Sequence, residues 1–405
     1  VLFIDHVERI LGGAEINLVE LLDHGPVHRK WQTGCAVPRS SLLREALDAI
    51  PSSQHLQFAD YRLNSELTEM RVVGRHPLAP LARFHGSLQA LKAGRKLLAG
   101  ILADFKPDAV VSIPNKDHII SAKICRDAGI PHLWWINDIL SKDFFPWLAR
   151  TGFFRAARQG DNYFAAVSKY ASEALIRGGL PRSRVMTVHN GIPLEKYRPV
   201  QKGRFRQHHG LGGDSFLFGV IGRWCPWKGQ DHFLRTAGLW AERFPDSDVN
   251  FLVIGKAFNQ DQPFEVSLRE QAAAINSGAG REIVRFIDFQ KNLNELLADL
   301  DCLVHTSVQP EPFGRVLVEA MAGQTPVIGA RAGAVPEIIG HEVNGLLAQP
   351  GSTESYLEQM SRMFHDSGLR NRLVEAADAR VREKFTVGRV FEDLDIILER
   401  MIDSR

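Results

Sequence analysis

Glu311-Pro312-Phe313-Gly314-Arg315-Val316-Leu317-Val318-Glu319-Ala320-Met321 follows the apolar run Cys302–His305. The run reads as a short buried strand, Pro312 and Gly314 break it, and Val316–Met321 has helical spacing. Strand, glycine turn and helix in that order form the repeating unit of a doubly wound α/β sheet. The unit recurs upstream. Phe216–Ile221 runs through Gly222-Arg223-Trp224-Cys225-Pro226-Trp227-Lys228-Gly229 into a helix over Asp231–Arg243. Strands Asn250–Ile254, Val284–Ile287 and Pro326–Ile328 alternate with helices Phe264–Asn276 and Leu293–Leu300.

Nearer the start, Val1–Asp5 reads as a strand, followed by the turn Gly12-Gly13 and a helix with Ile16, Val19 and Leu22 on its apolar face. Further strands are Asp108–Ile113, His132–Ile136, Tyr163–Val167 and Val185–Val188, the last ending at His189-Asn190-Gly191. Two Rossmann-like domains of an α/β protein are therefore expected, over 1–195 and 196–385. They join near 191–214, where the connector from Pro199 to Asp214 is polar and basic. The stretch Val387–Ile402 within 386–405 carries Val390, Phe391, Leu394, Ile397 and Leu398 at helical spacing and needs a partner surface. Open α/β sheets bind ligands beyond the carboxyl ends of their strands, so functional residues are sought there.

Composition narrows the function class. With 405 residues, 44% apolar and 24% charged, the chain is an ordinary globular protein, not a disordered, collagen-like or coiled-coil one. Cys35, Cys125, Cys225 and Cys302 form no C-x-x-C pair, which fits a reducing, cytoplasmic setting. No apolar run reaches the roughly 18 residues of a membrane span and no secretory signal opens the chain. Val1 already lies in a strand-like run, as if a short leader or initiating Met had been trimmed.

Charge is uneven. Residues 1–190 hold 24 lysines and arginines against 18 acids, and the remainder 25 against 29. Residues 71–103 hold Arg71, Arg75, Arg83, Lys92, Arg95 and Lys96 with no acid, in an amphipathic helical pattern. That pattern fits either an anionic partner, including peripheral membrane contact, or a solvated helix face.

The first free amides of the helix after Gly314 suit a phosphate, and Glu311 and Glu319 bracket that turn. Arg223 ends one strand and Lys228 precedes a helix, so a planar fork and a point charge can meet one diphosphate. No Asp-x-Asp stands at a strand end, and no metal site is expected. No G-x-G-x-x-G follows either first strand, which disfavours a dinucleotide oxidoreductase. No basic stripe is interleaved with exposed aromatics, which disfavours a nucleic-acid binder. His118, His132 and His305 read as structural.

Glu311 with Glu319, Gly222-Arg223 with Lys228-Gly229, and Gly12-Gly13-Ala14-Glu15 together resemble the retaining GT-B glycosyltransferases of family 4. Ala166-Val167-Ser168, Asn190-Gly191, Val253-Ile254-Gly255, Gly333-Ala334-Val335-Pro336-Glu337 and Asn344-Gly345-Leu346 match in the same order. The resemblance implies two doubly wound domains facing across a deep cleft, an acceptor-binding first and a donor-binding second, with the terminal helix crossing back to the first. It implies transfer of a hexosyl or N-acetylhexosaminyl group, with retention and without metal or cofactor, from a nucleotide sugar. UDP- and GDP-sugars are the expected donors, and the acceptor is the hydroxyl of a glycan, a lipid-linked species or a small molecule.

Residue by residue, the resemblance gives Glu311 a donor-sugar hydroxyl and Glu319 the ribose. The backbone of Phe313, Gly314, Arg315 and Val316 takes sugar and phosphate, while Arg223 and Lys228 neutralise the departing diphosphate. Gly12 and Gly13 allow close approach to the donor, Gly255 lies under the nucleotide, and Phe289 and Gln290 lie by the base. Asn115, Lys116 and Asp138 fall on the acceptor side. Asn137 stands where the family has a His that contacts the donor sugar; Asn hydrogen-bonds but carries no charge or proton. Ala257 replaces a second glycine after Gly255.

Phe144-Phe145-Pro146-Trp147-Leu148 and Phe153-Phe154, beside Lys142, Arg150, Arg155 and Arg158, fit a core helix pair better than a membrane-dipping lobe. A sugar-nucleotide-binding protein without turnover, or a phosphorylase or epimerase of this architecture, stands as the alternative function.

Overall fold

The computed structural model describes residues 1–8, 12–25, 27–63, 79–141, 147–198, 200–290 and 292–404, with backbone alone at 28, 29 and 79–91. The chain divides into two compact units, Val1–Gly191 together with Val387–Arg405, and Ile192–Thr386.

Among its described residues the first unit holds seven strands: β1 (Leu2–Ile4), β2 (Thr33–Val37), β3 (Leu56–Asp60), β4 (Val110–Ser112), β5 (His132–Ile136), β6 (Asn162–Ala166) and β7 (Val185–Thr187). All pair in parallel, in the order β3-β2-β1-β4-β5-β6-β7, so the winding reverses between β1 and β4. Helices on both faces explain why β1, β4 and β5 are buried at every position rather than alternating, with Ser112 and His132 the polar members.

Trp134 is fully buried, with edge contacts to Phe153 and Phe164 at 5.0 and 5.4 Å. Beside it Ser112 Oγ lies 2.6 Å from His118 Nδ1 and 2.8 Å from His132 Nε2. Burial pushes both imidazoles down, His132 to about 3, so both are neutral; Ser112 with His132 links β4 to β5, and His118 ties the helix Asn115–Ala128 to them.

The aromatic segment divides. Phe153 and Phe154 are core, whereas Trp147 and Leu148 are exposed, and Lys142 with Phe144–Pro146 lies outside the described residues. The basic segment becomes helix Ala79–Phe105, which buries Leu98, Ile101 and Leu102 and exposes Lys92 and Lys96. Arg71 and Arg75 lie outside the described residues, as does the Arg83 side chain. Among the described residues no helix is long and apolar enough to cross a membrane.

The second unit holds β8 (Phe216–Ile221), β9 (Val249–Gly255), β10 (Val284–Asp288), β11 (Cys302–Val304), β12 (Val327–Ala330) and β13 (Leu346–Ala348). They are parallel in the order β10-β9-β8-β11-β12-β13, reversing between β8 and β11. The connector is not loose. Helix Arg204–His208 lies within it, and Arg206 reaches Ser215 O at 2.6 Å, Asp299 O at 3.0 Å and Asp301 Oδ2 at 2.7 Å. It packs as part of this unit, as does Ile192, whose amide donates to Phe385 O at 2.9 Å.

Helix Val387–Asp403 belongs to the first unit. Its Phe391 packs on Trp31 at 4.8 Å, and Asp395 accepts from Trp31 Nε1 at 2.9 Å and from Lys30. Phe391→Ala should therefore destabilise the first unit by about 3 kcal/mol, the low end for removing a buried ring. In urea the transition of that unit should move to lower denaturant, while that of the 192–386 unit stays in place.

Candidate active site

In the second unit the gap between β8 and β11 is closed by two loops. Gly222 to Gly229 leaves β8, and His305 to Gly314 leaves β11. Their backbones approach closely: Gly229 has φ +70°, and a Cβ there would lie 2.2 Å from Thr306 O. Gly255, at the end of β9, has φ +141° and a Cβ there would lie 1.9 Å from Gly222 O. Both positions require glycine.

Lys228 Nζ donates to Glu311 Oε1 at 2.6 Å, joining the two loops. Glu311 Oε2 accepts from Ser307 Oγ at 2.9 Å and lies 3.6 Å from His305 Nε2. Burial alone would raise the Glu311 carboxyl, but the Lys228 ammonium and His305 outweigh it and hold the group well below the usual carboxylate range. The backbone of Glu311 is braced as well. Its carbonyl accepts the Ala334 amide at 2.9 Å, and Gly333, at φ +59°, leaves no room for a side chain against it.

Helix Arg315–Ala322 starts from Gly314, at φ +106°, and its first turn carries no side-chain cap. Val316 is half-buried and Phe313 packs edge-on against Phe385 at 5.8 Å. Glu319 faces inward four residues after Arg315; its Oε1 accepts from Arg315 Nε at 2.7 Å and Tyr197 OH at 2.9 Å. Arg223 is directed elsewhere. Its guanidinium grips Asp261 Oδ2 at 2.9 and 2.5 Å and lies 4.6 Å over Phe258. Phe289 is exposed beyond β10, with Lys256 Nζ 5.5 Å over its ring, and Gln290 turns back to Asp288 O at 2.9 Å. Buried polar atoms here without a partner among the described residues include His305 Nδ1, Trp224 Nε1 and Gln230 Oε1.

The first unit holds the remaining residues expected at the site from the sequence. Gly12 N donates to Glu15 Oε2 at 2.7 Å, capping helix Gly13–His24, and a Cβ on Gly13 would meet open space. Asn115 Nδ2 donates to Asp138 Oδ2 at 2.6 Å, while Asn137 Nδ2 bonds Trp135 O at 3.1 Å. Lys116 follows Asn115 in the same helix, where burial lowers its pKa. The structure thus joins Lys228 with Glu311, Arg315 with Glu319, and Asn115 with Asp138. It adds Ser307, Tyr197 and Asp261, which sequence reasoning missed, and His305, which the sequence alone reads as structural. His305 and Ser307 had one available signal: both lie between β11 and Glu311, on the loop at the reversal.

Comparison with known proteins agrees with this architecture. Residues 201–380 match the family described as Glycosyl transferases group 1, and residues 53–196 match Glycosyltransferase Family 4. N-acetyl-alpha-D-glucosaminyl L-malate synthase of Bacillus anthracis is 36% identical over 217 residues, 54% of each chain. D-inositol 3-phosphate glycosyltransferase of Actinosynnema mirum is 29% identical over 204 residues, 49% of this chain and 48% of that one. The chain spans about half the length of these curated relatives. The crystal structure of Anabaena HepE in complex with UDP and glucose covers 98% of both chains at 22% identity and a TM-score of 0.80, which shows a shared fold. With both parallel-sheet units in place and the two matches together spanning most of its length, the chain belongs to the family 4 glycosyltransferases of GT-B fold.

Proposed function

We propose that this chain transfers a hexosyl or N-acetylhexosaminyl group from a nucleotide sugar to an acceptor hydroxyl, with retention and without metal. The observation that carries the proposal is the Lys228–Glu311 pair beside the uncapped start of helix Arg315–Ala322. Lys228 and the amides of Gly314 to Val316 offer fixed positive charge where a nucleoside diphosphate departs, the task otherwise given to Mg²⁺. Glu311 accepts from a sugar hydroxyl, and Glu319 from the ribose. Arg223 joins Lys228 on the diphosphate after exchanging Asp261 for phosphate oxygens. A UDP- or GDP-sugar suits this arrangement, and the UDP complex of HepE supports the former.

For retention the leaving phosphate takes the acceptor proton on the face it vacates, so a pair of hydrolase-type carboxylates is not needed. The acceptor, a glycan, lipid-linked or small-molecule hydroxyl, belongs to the first unit near Asn115, Lys116 and Asp138, with Asn137 on the donor sugar. The exposed Lys92 and Lys96 of helix Ala79–Phe105 support a peripheral contact with an anionic cytoplasmic surface.

Incubating the chain with a panel of UDP- and GDP-sugars and acceptors should give a product whose anomeric configuration, read by proton NMR, matches the donor. Turnover should persist in EDTA; loss that Mn²⁺ or Mg²⁺ restores would sink the metal-free reading. Lys228→Ala and Glu311→Gln should each lower kcat/KM by roughly two to four orders of magnitude with the fold intact.

The pH dependence has a definite sign. Glu311 is depressed below its unfolded value of about 4.3, so its stabilising ionised form is fully present above that pH and is lost as pH falls through the folded pKa. The rate deficit of Glu311→Gln should accordingly stay constant between pH 5 and pH 8. A deficit that vanishes near pH 5 would place the titration in the wrong group.

A further inference from the structure

The chain enters the second unit at Ile192 and runs through Pro193 into the short turn Leu194–Tyr197. This entry segment is fastened at both ends. Ile192 pairs in parallel with Thr386 and donates its amide to Phe385 O at 2.9 Å, and Phe385 packs edge-on against Phe313 of the loop after β11. At the other end Tyr197 is 5% exposed, and its hydroxyl donates to Glu319 Oε1 at 2.9 Å. Glu319 lies 122 residues further along the chain, one turn into helix Arg315–Ala322.

Glu319 carries two donors on one oxygen. Arg315 Nε, four residues back on the same helix, also reaches Oε1, at 2.7 Å. A carboxylate oxygen only accepts, so both bonds run toward Glu319. Its Oε2 makes no hydrogen bond among the described residues. An i,i+4 pair alone holds a side chain weakly, because both partners ride on one helix and swing together. The Tyr197 hydroxyl comes from a different element, and attachment from two directions fixes the plane of the carboxylate. The rotamers that a glutamate loses on meeting a ligand are here lost during folding. Phenylalanine has the same ring without the oxygen, so this bond to Glu319 is something the ring alone cannot supply.

We propose that Tyr197 is a positioning residue for the nucleotide: by holding Oε1 it presents Glu319 Oε2 to a ribose hydroxyl, and it makes the entry segment Ile192–Tyr197 part of the nucleotide site. The inference rests on the glycosyltransferase reading above, in which Glu319 accepts from the ribose, and adds the group that sets that acceptor. A fixed oxygen rewards a hydroxyl placed against it and is left unpaired by a nucleotide that lacks one. A swinging carboxylate turns back to solvent and tolerates the loss. Tyr197 acts only through Glu319, so its effect is confined to nucleotides that carry the hydroxyl Glu319 receives. A segment that merely supported the fold would, once loosened, weaken every nucleotide alike.

Calorimetry on the full chain, with UDP and GDP and their 2′-deoxy and 3′-deoxy forms, reads this without turnover. The wild-type chain should bind a ribonucleoside diphosphate at least tenfold more tightly than one of its deoxy forms. Tyr197→Phe, which keeps the buried ring, should weaken the ribonucleotide five- to tenfold and leave that deoxy form within twofold. Glu319→Ala should abolish the preference, and adding Tyr197→Phe to it should change binding no further. Equal weakening of both forms in Tyr197→Phe, or an unchanged preference, overturns the assignment and leaves the enzyme reading standing. Equal binding of both forms by the wild-type chain overturns it too, by removing Glu319 from the ribose. A wild-type chain that binds none of these nucleotides refutes the donor reading itself.

Hydrogen exchange needs no variant. In the wild-type chain the amides of 194–197 should slow at least threefold when the ribonucleotide saturates the site, and less when the discriminated deoxy form does. Exchange there that ignores the ribonucleotide takes the entry segment out of the site and overturns the proposal.

Discussion

In a parallel sheet all strands end on one edge, and where the strand order reverses the two adjacent connections leave toward opposite faces. The backbone there cannot close on itself, so side chains must fill the opening. Both units meet this constraint, and each solves it with a part-buried ion pair or its near relative. In the 192–386 unit the filling is Lys228 and Glu311, 2.6 Å apart across loops that leave β8 and β11. In the other it is His6 and Asp117, from loops that leave β1 and β4. Glycines at 229, 255 and 333 follow from the same constraint, because they allow loops to come near enough for short polar contacts.

A buried ion pair is a poor source of net stability, since desolvation offsets much of the attraction. Its retention at a strand reversal is better understood as charge kept in position. Glu311 stays ionised despite burial because Lys228 and His305 lie against it, and Lys228 stays placed because Glu311 holds it. An anionic ligand entering on the Lys228 side thus meets a cation already oriented, with the cost of ordering that long side chain met during folding. Asp261 does the same for Arg223, and Tyr197 with Arg315 for Glu319.

Much of this was legible in the sequence. Strands β5, β8 and β11 carry dense apolar runs and were found within a residue or so, and the Glu311 to Met321 stretch disclosed its turn and helix. Strands β2, β3 and β13 were not. Thr33-Gly34-Cys35-Ala36-Val37 is built from small residues, β3 is a half-exposed edge, and β13 has only three residues, so none carries a strong period. Helices Thr353–His365 and Ser367–Lys384 likewise come from the structure alone. Within the candidate sites, residue types and spacing single out Glu311, Lys228 and Glu319, and the fold brings Lys228 against Glu311. Partners distant along the chain, Asp261 for Arg223 and Asp117 for His6, came only from the fold, because local spacing does not encode contacts made across a sheet. His305, read as structural on its own, acquires another meaning once its ring stands beside Glu311.

The first unit is written in two pieces, with residues 192–386 between them, while the second is continuous. During synthesis the continuous unit has all its strands before helix Val387–Asp403 exists. The surface around Trp31 that this helix covers therefore remains uncovered while an entire foreign domain is translated. A nascent chain in that interval presents an apolar patch to chaperones and to other chains, and completion of the first unit is a late, long-range docking event rather than a local one.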